Sequence, residues 1–71
     1  MYEVITTRNG KLIQSSTFGD YRMADYHFLL EAHRIDSTPD VTVTLQKGHV
    51  ALKLFEAYTA WENPRLAEIT A

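Results

Sequence analysis

Residues 41–61 read "VTVTLQKGHVALKLFEAYTAW", and how this stretch alternates decides the fold. Apolar and polar residues take turns through most of it, as in half-buried strands, and a Lys-Gly pair interrupts the alternation as a turn would. With Lys47-Gly48 as a two-residue turn, Leu45 opposes Val50, Val43 opposes Leu52 and Val41 opposes Leu54. All six aliphatics then share one face, and the opposite face receives Thr42, Thr44, Ala51 and Lys53. A slip of one residue would scatter the six, so the pattern specifies its own register. At roughly 1.5–3 kcal/mol for each buried side chain, this ribbon is the expected centre of the core.

Past Leu54 the period changes. Leu54, Tyr58 and Trp61, with Phe55 beside them, follow the helical spacing i, i+4, i+7, so "LFEAYTAWE" is expected to turn from strand into helix. An uninterrupted strand to residue 60 is the competing reading, and it would leave a long unpaired edge. Asn63-Pro64 then opens a last short helix as N-cap and N1, with Leu66 and Ile69 facing inward.

A second hairpin is written upstream in "YEVITTRNGKLIQSST". Asn9-Gly10 suits a type I′ turn, which needs positive φ at both central residues. The register pairs Thr7 with Leu12, Thr6 with Ile13, Ile5 with Gln14 and Val4 with Ser15. One face holds Tyr2, Val4, Thr6 and Ile13, and the other holds Ile5 and Leu12, so neither is purely polar. Such a ribbon is covered on both sides or uses one side for contact.

Between the hairpins, "TFGDYRMADYHFLLEAHRI" is expected to form one helix of about four turns, capped by Thr17 or Asp20 and stopped before Pro39. At 100° per residue, Ala24, Phe28, Ala32 and Ile35 gather with Tyr21 on a sheet-facing side, with Leu29 at its margin. Met23, Tyr26 and Leu30 make a separate stripe bordered by His27, His33 and Arg34. The helix is therefore apolar on two sides, more than one sheet contact needs.

The order predicts an α+β fold, ββαββ(α): a single domain over residues 1–71, with about four strands in an antiparallel or mixed sheet. One main helix packs on one face, and a short helix ends the chain. Strands two and three should run parallel, with the two hairpin tips pointing in opposite directions. Seventy-one residues stand near the lower limit for a core without disulfides or metal, and a composition 45% hydrophobic and 23% charged is that of a folded domain.

The function classes narrow by elimination. There is no cysteine, hence no disulfide framework or thiolate metal site. The first residues lack a basic stretch followed by an apolar run, and no segment reaches the roughly 18 apolar residues of a membrane span, so a soluble cytoplasmic protein is expected. His27 and Glu31 stand at i, i+4, a spacing at which two ligands meet one metal, but His33 points elsewhere and a third ligand is lacking. The carboxylate pairs Asp20 with Asp25 and Glu31 with Asp36 have no surroundings that suggest a raised pKa. Ser15, Ser16 and Ser37 lack a nucleophile context, and the glycines are isolated, so neither an enzyme nor a cofactor is expected. Ser37 or Thr38 in "DSTPD" is a phosphorylation candidate whose plainer role is a loop that stops the helix.

A net charge of −2, from seven basic and nine acidic residues spread along the chain, does not favour sequence-independent binding to nucleic acid. The expectation is a small non-enzymatic interaction protein, an inhibitor, adaptor or regulator that occludes a larger protein, a description that small proteins of phages and other mobile elements fit. Its interface candidates are Met23, Tyr26, Leu30, Tyr58 and Trp61, because aromatic residues and Met are enriched at contact cores. The same surplus makes a homodimer possible, and Leu30→Asp should then give a folded monomer. The alternative is a small dimeric nucleic-acid-binding regulator that contacts phosphates through Arg8, Lys11, Lys47 and Lys53.

Overall fold

The computed structural model describes residues 1–35 and 38–71. Seven elements follow one another: β1 (Tyr2–Arg8), β2 (Lys11–Phe18), α1 (Tyr21–Arg34), β3 (Val41–Lys47), β4 (Val50–Glu56), β5 (Thr59–Glu62) and α2 (Leu66–Ile69). The strands form a single sheet in the order β2-β1-β3-β4-β5, and every neighbouring pair is antiparallel. This is the expected α+β arrangement with a fifth strand. β2 and β3 point the same way, as expected, but β1 lies between them. Arg8 pairs with Val41 and Tyr2 with Lys47, which puts the two hairpin tips at opposite ends of the sheet.

The first hairpin turns at Asn9-Gly10, both at positive φ (52° and 79°). Thr7 faces Leu12 as the spacing predicts, but a bulge then shifts the register so that Thr6 faces Gln14 and Ile5 faces Ser15. Ile13 is the extra residue. Tyr2, Val4 and Thr6 are buried on the helix-facing side.

The β3–β4 hairpin departs from expectation in its register. Lys47 pairs with Val50, so the turn is Gly48-His49 rather than Lys47-Gly48. Gly48 has φ 61° and His49 is not among the positive-φ residues, the pattern of a type II′ turn, whose first central position favours glycine. A turn at Lys47-Gly48 would have asked Lys47 to take that conformation. Two residues further a second bulge intervenes: Gln46 pairs with Ala51, but Leu45 pairs with Lys53. Leu52, the added residue, is fully buried. From there the faces exchange. Lys53 comes to the helix side, where its Nζ donates to Asp25 Oδ1 of α1 at 2.7 Å. Leu54 pairs with Thr44 on the far side. Val41, Val43, Leu45 and Leu52 enter the core, Val50 stays at its exposed rim, and Leu54 leaves the face on which the six were expected to meet.

The chain does not turn helical at residue 55. It folds back at Ala57-Tyr58, both at positive φ (43° and 73°), and Trp61 returns opposite Leu54 and Ala60 opposite Phe55. The type I′ turn is made without the usual Asn or Gly. Asn63 is not the N-cap of α2 that the Asn63-Pro64 pair predicts; that position is Arg65, with no side-chain cap bond, and Asn63 closes the turn that precedes the helix. Its Oδ1 accepts from the Arg65 N–H at 2.9 Å, and its carbonyl accepts from the Leu66 N–H at 3.0 Å. Leu66 and Ile69 pack against the core.

Asp20, not Thr17, caps α1, accepting from the Arg22 N–H at 3.1 Å; Thr17 remains in β2. Ala24, Phe28, Ala32 and Ile35 are buried as the helical period predicts, together with Glu31. The helix lies over β1 and β3 and reaches β2. No helix among the described residues is long and apolar enough to cross a membrane.

Candidate functional site

With Ala24, Phe28 and Ala32 turned into the core, the opposite side of α1 is left uncovered by the described residues. Met23, Tyr26, Leu29 and Leu30 are 56%, 62%, 54% and 51% exposed. They lie within about 120° of the helix, a continuous strip one side chain wide. The C-terminal segment does not fold over the strip; it forms β5 and α2 at other sites. Leu29 lies where this strip meets the margin of the sheet-facing side, as the helical period predicts, with Phe28 next to it and Phe55 and Ala60 of the outer ribbon across from it.

The strip is rimmed by Arg22, His33 and Arg34, all exposed. Arg34 grips Glu31: its Nη2 donates to Oε2 at 2.8 Å and its Nε to Oε1 at 3.3 Å. The Thr6 hydroxyl donates to the same carboxylate at 3.4 Å. The Arg34 hydrogen bond holds the Glu31 carboxyl below its ordinary range against the opposing effect of burial, with help from the charges of Arg34 and His27. The same contact raises the pKa of Arg34. A buried carboxylate pairing with a partly exposed guanidinium fixes the last turn of α1 to β1, a link the sequence pattern does not reveal. His27 packs its ring on Phe18, centroids 5.2 Å apart, and so lies on the β2 side of the helix.

Beside Leu29 the strip runs into a shallow apolar groove of about 320 Å³, with Phe55 and Ala60 along one side and Phe28, Ala32 and His33 along the other. It exists because α1 does not extend over β4 and β5.

The remaining interface candidates are placed apart. Tyr58 stands at the β4–β5 turn, 71% exposed. Trp61, opposite Leu54, lies on the sheet face away from α1. The structure thus unites Met23, Tyr26 and Leu30; Trp61, set by its pairing on the other face of the sheet, still borders with Phe28 and Leu29 a shallow pocket of about 210 Å³ along β5. The structure also gives the far face a ring that the expected register did not place there.

The four cations do not make one surface. Arg8 and Lys11 are paired at one hairpin tip. At the other end, Lys47 donates to the Ile69 carbonyl at 3.0 Å and lies over the Tyr2 ring at 5.4 Å. Lys53 is committed to Asp25; burial disfavours its charge, but the bond to Asp25, with Tyr21 close by at 5.9 Å from the ring centroid, outweighs this and its pKa is raised. Among the described residues no group of His, Asp or Glu has metal-binding geometry. Asp36 and Ser37, named as carboxylate and phosphorylation candidates, lie outside the described residues; Thr38 donates its N–H to the Ile35 carbonyl at 2.8 Å.

Comparison with protein families, with curated proteins and with solved structures finds no match to this chain.

Proposed function

We propose that this protein is a non-enzymatic interaction module that lays the outer face of α1 in an apolar groove of a larger protein and acts by covering it, as an inhibitor, adaptor or regulator. The observation that carries this reading is the uncovered strip Met23, Tyr26, Leu29 and Leu30 on a helix whose other side is already anchored. Anchors at i, i+3 and i+7 are the pattern by which an amphipathic helix fills a groove. Together the four side chains present on the order of 400 Å² of apolar surface, within the range of functional patches on small proteins. Arg22, which has no side-chain partner among the described residues, favours a partner groove with a carboxylate at its rim, whereas Arg34 is already paired with Glu31.

Two of the partly buried charges serve the fold. Glu31 and Lys53 are both shifted toward keeping their charge, whereas acid–base catalysis calls for groups brought toward neutrality. A dimeric nucleic-acid-binding regulator has less support, since Lys47 and Lys53 have partners within the chain and stand away from Arg8 and Lys11.

The test compares wild type with Leu30→Asp. Leu30 is half exposed, so the variant should fold with a stability change within about 0.5 kcal/mol. Immobilised wild type should retain a specific protein from the source organism's lysate, and the purified pair should bind at least a hundredfold more tightly than the pair made with Leu30→Asp. Equal binding by the two would remove the strip as the interface.

A further inference from the structure

The two edges of the sheet are built differently. β2 opens with Lys11 and is interrupted by the bulge at Ile13, devices that discourage pairing with another strand. β5 is short and ends in the charged Glu62, but it has neither bulge nor lysine nor internal proline, and all four of its residues are exposed. Its main chain is also poised outward. The two-residue turn closes on the pair Glu56 and Thr59, whose main-chain groups bond each other; by alternation those of Trp61 also point to β4. The Asn63 N–H continues the series, donating to the Leu52 carbonyl at 2.8 Å. The N–H and C=O groups of Ala60 and Glu62 therefore face away from the sheet.

We infer that β5 is a self-association edge: two copies of the chain join β5 to β5 in antiparallel sense, about a two-fold axis at Trp61. The register follows from three constraints. Residues facing each other must share a sheet face, so their numbers add to an even total. Pairing Glu62 with Glu62 of a second copy sets like charges in opposition, and pairing Ala60 with Ala60 aligns only one bonded pair centrally on the available segment. Centring on Trp61 lets Ala60 and Glu62 pair with Glu62 and Ala60 of the other copy, so that all four outward main-chain groups on each strand are bonded. The segment used, residues 59–63, is bounded by the Ala57-Tyr58 turn and by Pro64, which cannot continue a ladder. Trp61 lies at its centre. The two indoles then meet across a non-hydrogen-bonded pair, where side chains approach most closely, on the face opposite α1.

The contact joins two sheets into one and removes an exposed edge from each copy. Strand pairing over this length with two indoles covers on the order of 400 Å² per partner, about half of what a standard stable interface buries. Self-association in the micromolar range is expected. The helix strip is not part of it, so this inference stands or falls separately from the proposed docking by α1.

Sedimentation velocity over a concentration series, from low micromolar to near millimolar, provides the test. Wild type should move from monomer to dimer, with an exciton couplet from the stacked indoles growing in the far-ultraviolet circular dichroism; the chain has one tryptophan, so a couplet between indoles requires two copies. Trp61→Glu alone and Trp61→Lys alone should each stay monomeric, because each sets like charges across the axis, and an equimolar mixture should form a heterodimer. Ala60→Pro, which removes an outward N–H without touching a bond to β4, should weaken association at least tenfold, whereas Leu30→Asp should leave it unchanged. A wild type that stays monomeric throughout, a charged variant that dimerises alone, or a mixture that does not pair would each overturn the assignment.

Discussion

The half of the sheet beneath α1 and the half beyond it use the same strand chemistry to different ends. Under the helix, Val4, Val43 and Leu45 are at most 2% exposed, and Thr6 shares their environment by bonding to Glu31. Beyond it, β5 buries none of its residues, and β4 is covered chiefly where Leu52 reaches back into the core. The difference comes from the reach of one helix. Fourteen residues of α1 span about 21 Å, and with α1 set over β1 and β3 the outer ribbon has no second layer. A small domain with one long helix, one helix of four residues and five strands has more sheet than it can cover.

Truncations inside and outside the covered half sharpen this contrast most. Leu45→Ala, at a site with no solvent contact, should lower the unfolding free energy by about 2–5 kcal/mol, enough to leave a domain of this size partly unfolded. Urea denaturation would check it, and a loss under 1 kcal/mol would mean that the core under α1 is not where stability resides. The tie between the halves comes next. Lys53 on β4 and Asp25 on α1 are both mostly shielded, and removing one partner leaves the other desolvated. Asp25→Ala should therefore cost about 1–3 kcal/mol and Lys53→Met less, since the methionine chain keeps the packing and leaves only the carboxylate, which can turn toward water.

The smallest effect concerns Glu31. Its folded pKa lies below its ordinary value of 4.5, so its contribution is present above that pH and is lost as pH falls through the folded value. Glu31→Gln should lower stability by about 1 kcal/mol at neutral pH, a modest figure because Arg34 is largely exposed. The difference from wild type should shrink below pH 4.5 as the native carboxylate takes up its proton. Thermal melts at neutral and acid pH separate this from a packing effect, which would be the same at both.

Much of this fold was legible. Asn9-Gly10 marked its turn, the helix followed from its period and Pro39, and Asn63-Pro64 announced α2, though not its cap. The aliphatics of β3 also pointed to the core. The misreadings have two causes: local spacing reports neither inserted residues nor turns whose residues do not announce them. The bulge at Leu52 moved Lys53 and Leu54 to faces opposite those their alternation implied. At Ala57-Tyr58 a type I′ turn formed from residues that do not signal one, and the spacing of Leu54, Tyr58 and Trp61 imitated a helix across it. The strip on α1 was visible as a surplus of apolar residues. That it stays uncovered depends on where residues 55–69 go, which is a tertiary matter, as is the capture of Glu31 by Arg34 and Thr6.

The bulge at Leu52 has a consequence for how sequence change is read in this molecule. It works as a shift of reading frame. Before it, the inward positions of β4 are even-numbered, and after it they are odd, through Lys53 and Phe55 and by pairing to Ala60. Removal of one residue there would return Phe55 and Ala60 to the bare face and bring Leu54 and Trp61 to the side of the helix, with no change in the composition of either strand. The identity of the surface that β4 and β5 offer is thus set by the length of the chain at a single point, ahead of the residues that form it.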